Sequence, residues 1–149
     1  MARALTAVGA ALALFIGGLA FAVYITRDED NVQVDSLLSE RVTREVARSS
    51  SGDGRLDLRQ VAPFEWDTVL IVQSGTAREE ISRRLGYEWT GTLGFQTGDE
   101  LILLRGGKVA RFFDYRGEGR FAGVDRPFQS LARDQAVFRV RDLVITPEG

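Results

Sequence analysis

The sequence predicts an α+β fold: an N-terminal transmembrane helix, then a small antiparallel sheet of four to five strands packed by one helix. The first observation is an uncharged apolar run at residues 4–25. The second is the order of the predicted elements after it, β-β-α-β-β-β, which lacks the repeated βαβ units of a parallel sheet. These features divide the chain into an anchor or signal segment (1–27), a juxtamembrane helix with a Ser/Gly linker (28–55) and an exported α+β domain (56–149).

The apolar run at residues 4–25 predicts a single membrane span. A helix over this run is about 33 Å long at 1.5 Å per residue, which exceeds the roughly 30 Å thickness of a hydrocarbon core. Arg3 precedes the run, and Arg27 follows it together with the acidic residues 28–30. Because the N-terminal flank is short and no second apolar run follows, we expect the N-terminus inside the cytoplasm and the domain outside it.

A cleaved signal peptide is the alternative. Gly17 and Gly18, followed by Ala20 and Ala22, supply the small residues that a cleavage site after Ala22 needs, and cleavage there would give a secreted protein. However, residues 23–25 continue the hydrophobic stretch past that site. The uncleaved anchor in the cytoplasmic membrane is therefore favoured.

Residues 35–48 form the first predicted element after the anchor, an amphipathic helix. Asp35 is placed to cap its N-terminus. Apolar residues recur every four positions: Val34, Leu38, Val42 and Val46. We expect the helix to lie on the domain or to continue the stalk, with partner binding less favoured. The Ser- and Gly-rich stretch at 49–54 predicts a flexible linker, so the domain is expected to begin near Leu56.

The next elements are two strands and a helix. Residues 56–58 predict a short edge strand, and the continuous apolar run within 67–73 predicts a strand buried in the sheet interior. The pattern from Thr76 to Glu79 is typical of a capping box, with Ala77, Ile81 and Leu85 on the buried face of the helix that follows. Gly86 is placed to end that helix in the left-handed conformation.

The C-terminal part predicts a hairpin and one more strand. Strands at 100–104 and 109–115 flank two glycines that suit a tight turn. Residues 116–133 are polar and predict an irregular segment, and residues 136–140 predict the last strand. The aromatic residues at the ends of the earlier elements are interpreted as core rather than as a binding patch: Trp66, Tyr87 and Trp89.

Residue types exclude several kinds of catalytic site. The chain has no histidine and no cysteine, which excludes Cys–His and Ser–His nucleophile pairs and thiolate or imidazole metal ligands. Lys108, the sole lysine, falls in the predicted hairpin turn, where it is a poor base. Paired carboxylates remain, with Asp114, Glu118 and Asp125 as candidates. We expect no catalytic residue, no cofactor and no metal site.

Charge argues against nucleic acid and leaves one candidate binding segment. Beyond residue 25 the chain keeps 18 of its 19 basic residues and all 21 acidic ones, a net charge of −3 without a basic block. The arginines are spread along the chain and alternate with carboxylates, which favours a compositional bias over a binding surface. Within the irregular segment, Arg116, Arg120 and Arg126 are the candidate partner-binding residues, able to hold an anionic envelope ligand.

Four stretches resemble a family of short, uncharacterised bacterial envelope proteins. They are F-E-W-D at 64–67, I-S-R-R-L-G-Y-E-W at 81–89, the hairpin at 107–109 and A-V-F at 136–138. The chain departs from that family at 73–75, where Q-S-G replaces an aromatic, proline or tyrosine turn. The resemblance covers about the C-terminal three-fifths of the chain and implies an envelope location, without an activity.

Together these observations predict a single-pass membrane protein that presents a small non-catalytic domain outside the cytoplasm. The domain is expected to act as a binding or accessory module of the cell envelope, with the membrane and another envelope protein or cell-wall component as partners. An exported enzyme inhibitor or a small carboxylate-based hydrolase is the alternative.

Overall fold

A computed structural model describes residues 34–50, 54–91, 98–122 and 127–148. All of them belong to one compact unit, Val32–Gly149. Several predictions concern residues outside the described ranges: the span at 4–25, the cleavage site after Ala22, the middle of the linker, Asp125 and Arg126. Within the described ranges, no helix is both long and apolar enough to cross a membrane.

The described elements confirm an α+β fold. The helices are α1 (Ser36–Ser49), α2 (Leu58–Val61) and α3 (Arg78–Leu85), and a 3₁₀ turn spans Arg133–Gln135. The strands are β1 (Arg55–Asp57), β2 (Thr68–Val72), β3 (Glu100–Arg105), β4 (Lys108–Asp114), β5 (Arg120–Phe121), β6 (Phe128–Ala132), β7 (Val137–Arg141) and β8 (Val144–Pro147).

The first sheet has the strand order β4-β3-β2-β6 and is antiparallel throughout. Strand β2 lies inside it, with Leu70 opposite Ile102 on one side and Ser130 on the other. This confirms the predicted interior strand. The β3–β4 hairpin is also confirmed, and its turn uses Gly106 and Gly107 at φ 58° and 78°, a conformation that favours glycine.

The second sheet has the order β1-β7-β8-β5, in which only the β5–β8 pair is parallel. Strand β1 is an edge strand, as predicted. The prediction of a single sheet of four to five strands is wrong, because residues 116–133 contain β5 and β6 and a further strand, β8, follows β7. Asp142 and Leu143 make the β7–β8 turn at φ 49° and 62°, so no glycine marks this hairpin in the sequence.

The core lies on both faces of the first sheet. On one face, Val69 and Ile71 share a cluster with Val42 of α1 and Phe138 of β7. On the other face, strand residues pack with α3 in a second cluster: Leu70, Val72, Ile81, Trp89, Ile102 and Phe112. Because successive strand residues point to opposite faces, the continuous apolar run of β2 supplies both clusters.

Helix α1 confirms the predicted amphipathic helix and its cap. The Asp35 carboxylate accepts from the Leu38 N–H at 2.9 Å, and the predicted stripe is buried at Leu38, Val42 and Val46. The Ser39 hydroxyl donates to the Asp114 carbonyl at 2.6 Å. The helix therefore belongs to the packed core and lies upstream of the domain start expected at Leu56.

Helix α3 begins differently from the prediction. Its N-cap is Ala77, which provides no side-chain hydrogen bond. The Thr76 hydroxyl instead donates to the Gln73 carbonyl at 2.6 Å, so it closes the preceding turn and the capping box prediction is wrong. Gly86 ends the helix at φ 82°, as predicted.

Both tryptophans are core residues, as predicted, whereas Tyr87 is not. Trp66 and Trp89 are 3% and 1% exposed, and Tyr87 is 36% exposed. The Trp66 indole N–H donates to the Ala62 carbonyl at 3.0 Å. The Tyr87 hydroxyl accepts from the Val109 N–H at 3.0 Å, so this ring tethers the hairpin from its solvent side.

Candidate functional site

Two cavities among the described residues are rich in arginine and share one lining residue. One, of about 430 Å³, is lined by residues of α1, β1 and α2: Arg41, Arg44, Glu45, Arg48, Arg55, Asp57, Gln60 and Val61. The other, of about 760 Å³, is lined by Ser49, Ser50, Arg55, Arg139, Val140, Arg141, Asp142 and Glu148. Because Arg55 lines both cavities, we call the two together the arginine groove.

Local structure explains how the groove obtains its arginines. Arg41, Arg44 and Arg48 recur at spacings of three and four, which places them on one face of α1 beside the buried stripe. The rise along the helix axis separates them by about 4.5 and 6 Å. On β7, Arg139 and Arg141 share one face, while Val140 between them points into the core.

Ion pairing leaves half of the groove arginines uncommitted. Glu148 pairs with Arg55 at 3.4 Å and with Arg139 at 4.0 Å, and Arg48 pairs with Glu45 at 3.5 Å. Three arginines have no ion pair within 4.0 Å among the described residues: Arg41, Arg44 and Arg141. Six arginines and four carboxylates line the groove, so it is locally positive on a chain of net charge −2.

The predicted binding residues lie elsewhere. Arg116 is exposed, and its guanidinium is 3.4 Å from the Asp114 carboxylate. Arg120 is exposed at the start of β5, where its backbone N–H donates to the Leu143 carbonyl at 3.0 Å. Neither residue lines the arginine groove, and Arg126 is outside the described residues. The spacing of Arg41, Arg44 and Arg48 within the predicted helix was a local signal for one side of the groove. The groove as a whole was missed because Arg139 and Arg141, on its other side, lie more than eighty positions further along the chain than Arg55.

A second candidate site is a pair of buried acids. Glu100 and Asp114 face each other across the β3–β4 hairpin and are 7% and 8% exposed. The neighbouring pair, Asp99 and Tyr115, is hydrogen-bonded, because the Tyr115 N–H donates to the Asp99 carbonyl at 2.8 Å. Since bonded and non-bonded pairs alternate in antiparallel strands, the acids form a non-hydrogen-bonded pair with Cα atoms about 4.5 Å apart.

The environment of this pair keeps Glu100 partly protonated at neutral pH. Burial, with a smaller contribution from the Asp114 charge, raises the pKa of Glu100 to about 7. The Glu100 Oε1 atom has no hydrogen-bond partner among the described residues. A carboxyl group with a pKa near neutrality can donate or accept a proton in catalysis, although structural acids also show such shifts.

Of the three predicted carboxylate candidates, the structure brings only Asp114 next to another acid. Glu118 is exposed and Asp125 is outside the described residues. Sequence reasoning missed Glu100 because it precedes four apolar residues and resembles a polar strand start. The alternation of side chains along β3 could have predicted that Glu100 is buried, because it places Glu100 on the same face of the sheet as the buried Ile102.

No protein-family model matches the chain, and the comparisons with curated proteins and with solved structures find no match either. The resemblance to bacterial envelope proteins therefore assigns no activity and no functional residue. Both candidate sites rest on their own geometry: a positive, solvent-open groove and a buried acid pair that lines neither cavity of that groove.

Proposed function

We propose that this chain is a single-pass membrane protein whose N-terminal span holds the α+β domain outside the cytoplasm. There the domain acts as a non-catalytic binding module for an anionic component of the cell envelope. The arginine groove is the observation that supports binding, because it combines a concave shape with uncommitted guanidinium groups. Arginine is the side chain best suited to carboxylate and phosphate groups, which it can contact through two parallel hydrogen bonds.

A carboxylate-based hydrolase is the second candidate function, and the Glu100–Asp114 pair is the observation that favours it. Glycoside hydrolysis uses two acids that flank the scissile bond, and the raised pKa of Glu100 is of the kind that suits the proton donor. The pair is nearly inaccessible to solvent, however, and an apolar cluster that includes Ile102 and Phe112 lies on the same face of the sheet. The buried location favours a structural role, so the binding module remains the preferred function.

The membrane topology can be tested with single cysteines, because the natural chain has none. Ala110 is an exposed residue of β4, and Ala110→Cys should react with a membrane-impermeant maleimide in intact cells. Ala2→Cys, on the other side of the predicted span, should react only after permeabilisation. Labelling of both positions only after permeabilisation would reject the extracytoplasmic placement.

Binding through the groove can be tested by crosslinking in the same cells. Gln60 is exposed and lines the smaller cavity, so Gln60→Cys can carry a thiol-linked photocrosslinker without removing a charge. The proposal predicts a specific adduct from this position and none from the matched Ala110→Cys protein. Equal adducts from both positions, or none from either, would contradict binding at the groove.

A further inference from the structure

We infer that the arginine groove binds a linear phosphate polymer that carries no bases. This inference rests on the proposed binding function and specifies its ligand class. It requires a positive surface that spans more than one phosphate group and that lacks both the aromatic rings on which bases stack and the apolar anchors of protein interfaces.

The size of the groove indicates an extended ligand. Small-molecule pockets commonly enclose about 300–1,000 Å³, and each of the two cavities, at about 430 and 760 Å³, falls within that range. Arg55 lines both cavities, so a ligand that occupies both would cross Arg55 between the α1 side and the β7 side. A single phosphate ion would leave most of this space empty.

The cations are arranged to contact several groups along such a chain. Arg41 and Arg44 are exposed on α1 and Arg141 is exposed on β7, and none of the three has an ion pair among the described residues. They approach the groove from two different elements. A tetrahedral phosphate group can accept hydrogen bonds from several directions, whereas a carboxylate accepts preferentially near its own plane, so phosphate suits this arrangement better.

The remaining lining residues exclude other partners. Proteins that bind single-stranded nucleic acid place aromatic rings beside their cations for the bases to stack on, and no described lining residue is aromatic. Protein partners need buried apolar or aromatic anchors, but Val61 and Val140 are the only apolar lining residues described.

The carboxylates in the groove set the expected strength of binding. Glu148 already neutralises part of the charge of Arg55 and Arg139, and Glu45, Asp57 and Asp142 also line the groove. A polymer must compete with these acids. We therefore expect modest affinity at physiological salt and a strong increase in affinity as the salt concentration falls.

The test is binding of dye-labelled long-chain polyphosphate to the full-length protein in detergent micelles, measured by fluorescence anisotropy between 50 and 200 mM salt. The double variant Arg41→Gln/Arg44→Gln should weaken binding at 50 mM salt by about tenfold or more. Its affinity should also depend less steeply on salt: the magnitude of the slope of log K against log salt should decrease by about 1.4, or about 0.7 for each lost contact. The control is Arg83→Gln/Arg84→Gln, which removes the same charge from the exposed side of α3 and should change affinity less than twofold. Equal weakening in both double variants, or no binding by the natural chain at 50 mM salt, would overturn the inference.

Competing probes distinguish the ligand class. Orthophosphate, poly-glutamate, a single-stranded oligonucleotide and glycerol phosphate, a lipid headgroup without its chains, should each bind more weakly than polyphosphate at equal total phosphate or carboxylate concentration. Orthophosphate binding of equal strength would overturn the extended ligand, and tighter binding of any of the other three would replace the phosphate polymer with that class.

The folding of the variants is checked by urea unfolding, and unchanged midpoints show that it is intact. If the protein does not bind polyphosphate but Gln60→Cys still gives a specific crosslinked adduct, only the proposed ligand class is wrong. If neither polyphosphate binding nor the adduct is observed, the binding function itself is rejected.

Discussion

Replacing Glu100 with glutamine should raise the free energy of unfolding at neutral and alkaline pH and leave it nearly unchanged at acidic pH. The pKa of Glu100 is raised from 4.5 to about 7, chiefly by burial and secondarily by Asp114. A carboxyl group whose pKa is higher in the folded state binds its proton more tightly there than in the unfolded chain. Glu100 therefore causes no loss of stability below about pH 4.5. Stability falls as the pH rises from 4.5 to 7, and the loss is complete above that range.

The size of the loss follows from the pKa difference. At 1.36 kcal/mol per pKa unit, a rise from 4.5 to about 7 corresponds to about 3 kcal/mol of unfolding free energy. Glu100→Gln keeps the shape of the side chain and removes its charge. The variant should gain up to about 3 kcal/mol at pH 8 and almost nothing at pH 4. The gain is reduced to the extent that the new amide N–H groups lack partners.

The assay is urea unfolding of the full-length protein in detergent, followed by the fluorescence of the buried Trp66 and Trp89 at several pH values. Two controls sharpen it. Glu118→Gln changes an exposed acid and should leave the pH dependence intact. Asp114→Asn should keep most of it, because burial outweighs the Asp114 charge as the cause. If the free energies of the natural chain and of Glu100→Gln change in parallel between pH 4 and 8, the reasoning is refuted.

Three further substitutions test the supporting fold by the same urea assay. Asp35→Ala removes the helix cap of α1 and the 2.7 Å ion pair with Arg111, and should lower the free energy of unfolding by about 1–2 kcal/mol; no change would contradict the cap. Gly54→Ala introduces a Cβ that overlaps the Val140 carbonyl at a backbone φ of 68°, and should destabilise by more than about 1 kcal/mol, a result that an unaltered midpoint would refute. Asp142→Gly relieves the φ of 49° in the β7–β8 turn and should stabilise by about 0.5 kcal/mol, whereas a clear loss would show that the aspartate side chain supports the turn.

Three elements were predicted correctly because their own residues specify them: α1, β2 and the β3–β4 turn. Helix α1 has both a capping residue and a complete apolar stripe, and β2 is apolar at four consecutive positions. The β3–β4 turn has two glycines at the positions that need positive φ. In these three cases, propensity, periodicity and tertiary packing agree, so the sequence alone is sufficient.

The missed features depend on contacts between distant segments. Strand β6 has no buried residue and is ordered by its pairing with β2, so its own five residues carry no strong strand pattern. Strand β8 follows a turn without glycine. Thr76 has a suitable side chain for a helix cap but bonds to Gln73 instead, because the hydroxyl can satisfy either the helix or the turn before it.

The candidate sites show the same limit. Within the arginine groove, the helical spacing of Arg41, Arg44 and Arg48 is visible in the sequence. No local pattern relates this helix to Arg139 and Arg141 of β7. Glu100 could have been placed inside by its alternation with Ile102, but its polar character favoured the end of a strand. The buried location of Asp114 was not predictable from its position beside a polar, glycine-rich segment.

Occupation of the arginine groove by an anionic polymer is tested most directly by a measurement that locates the ligand on the protein. Guanidinium N–H signals of the full-length protein can be followed by NMR while linear polyphosphate is added. Binding in the groove predicts saturable shifts for Arg41, Arg44 and Arg141, with Arg83 and Arg84 of α3 unaffected. Shifts of similar size at all exposed arginines, or shifts confined to Arg116 and Arg120, would contradict it.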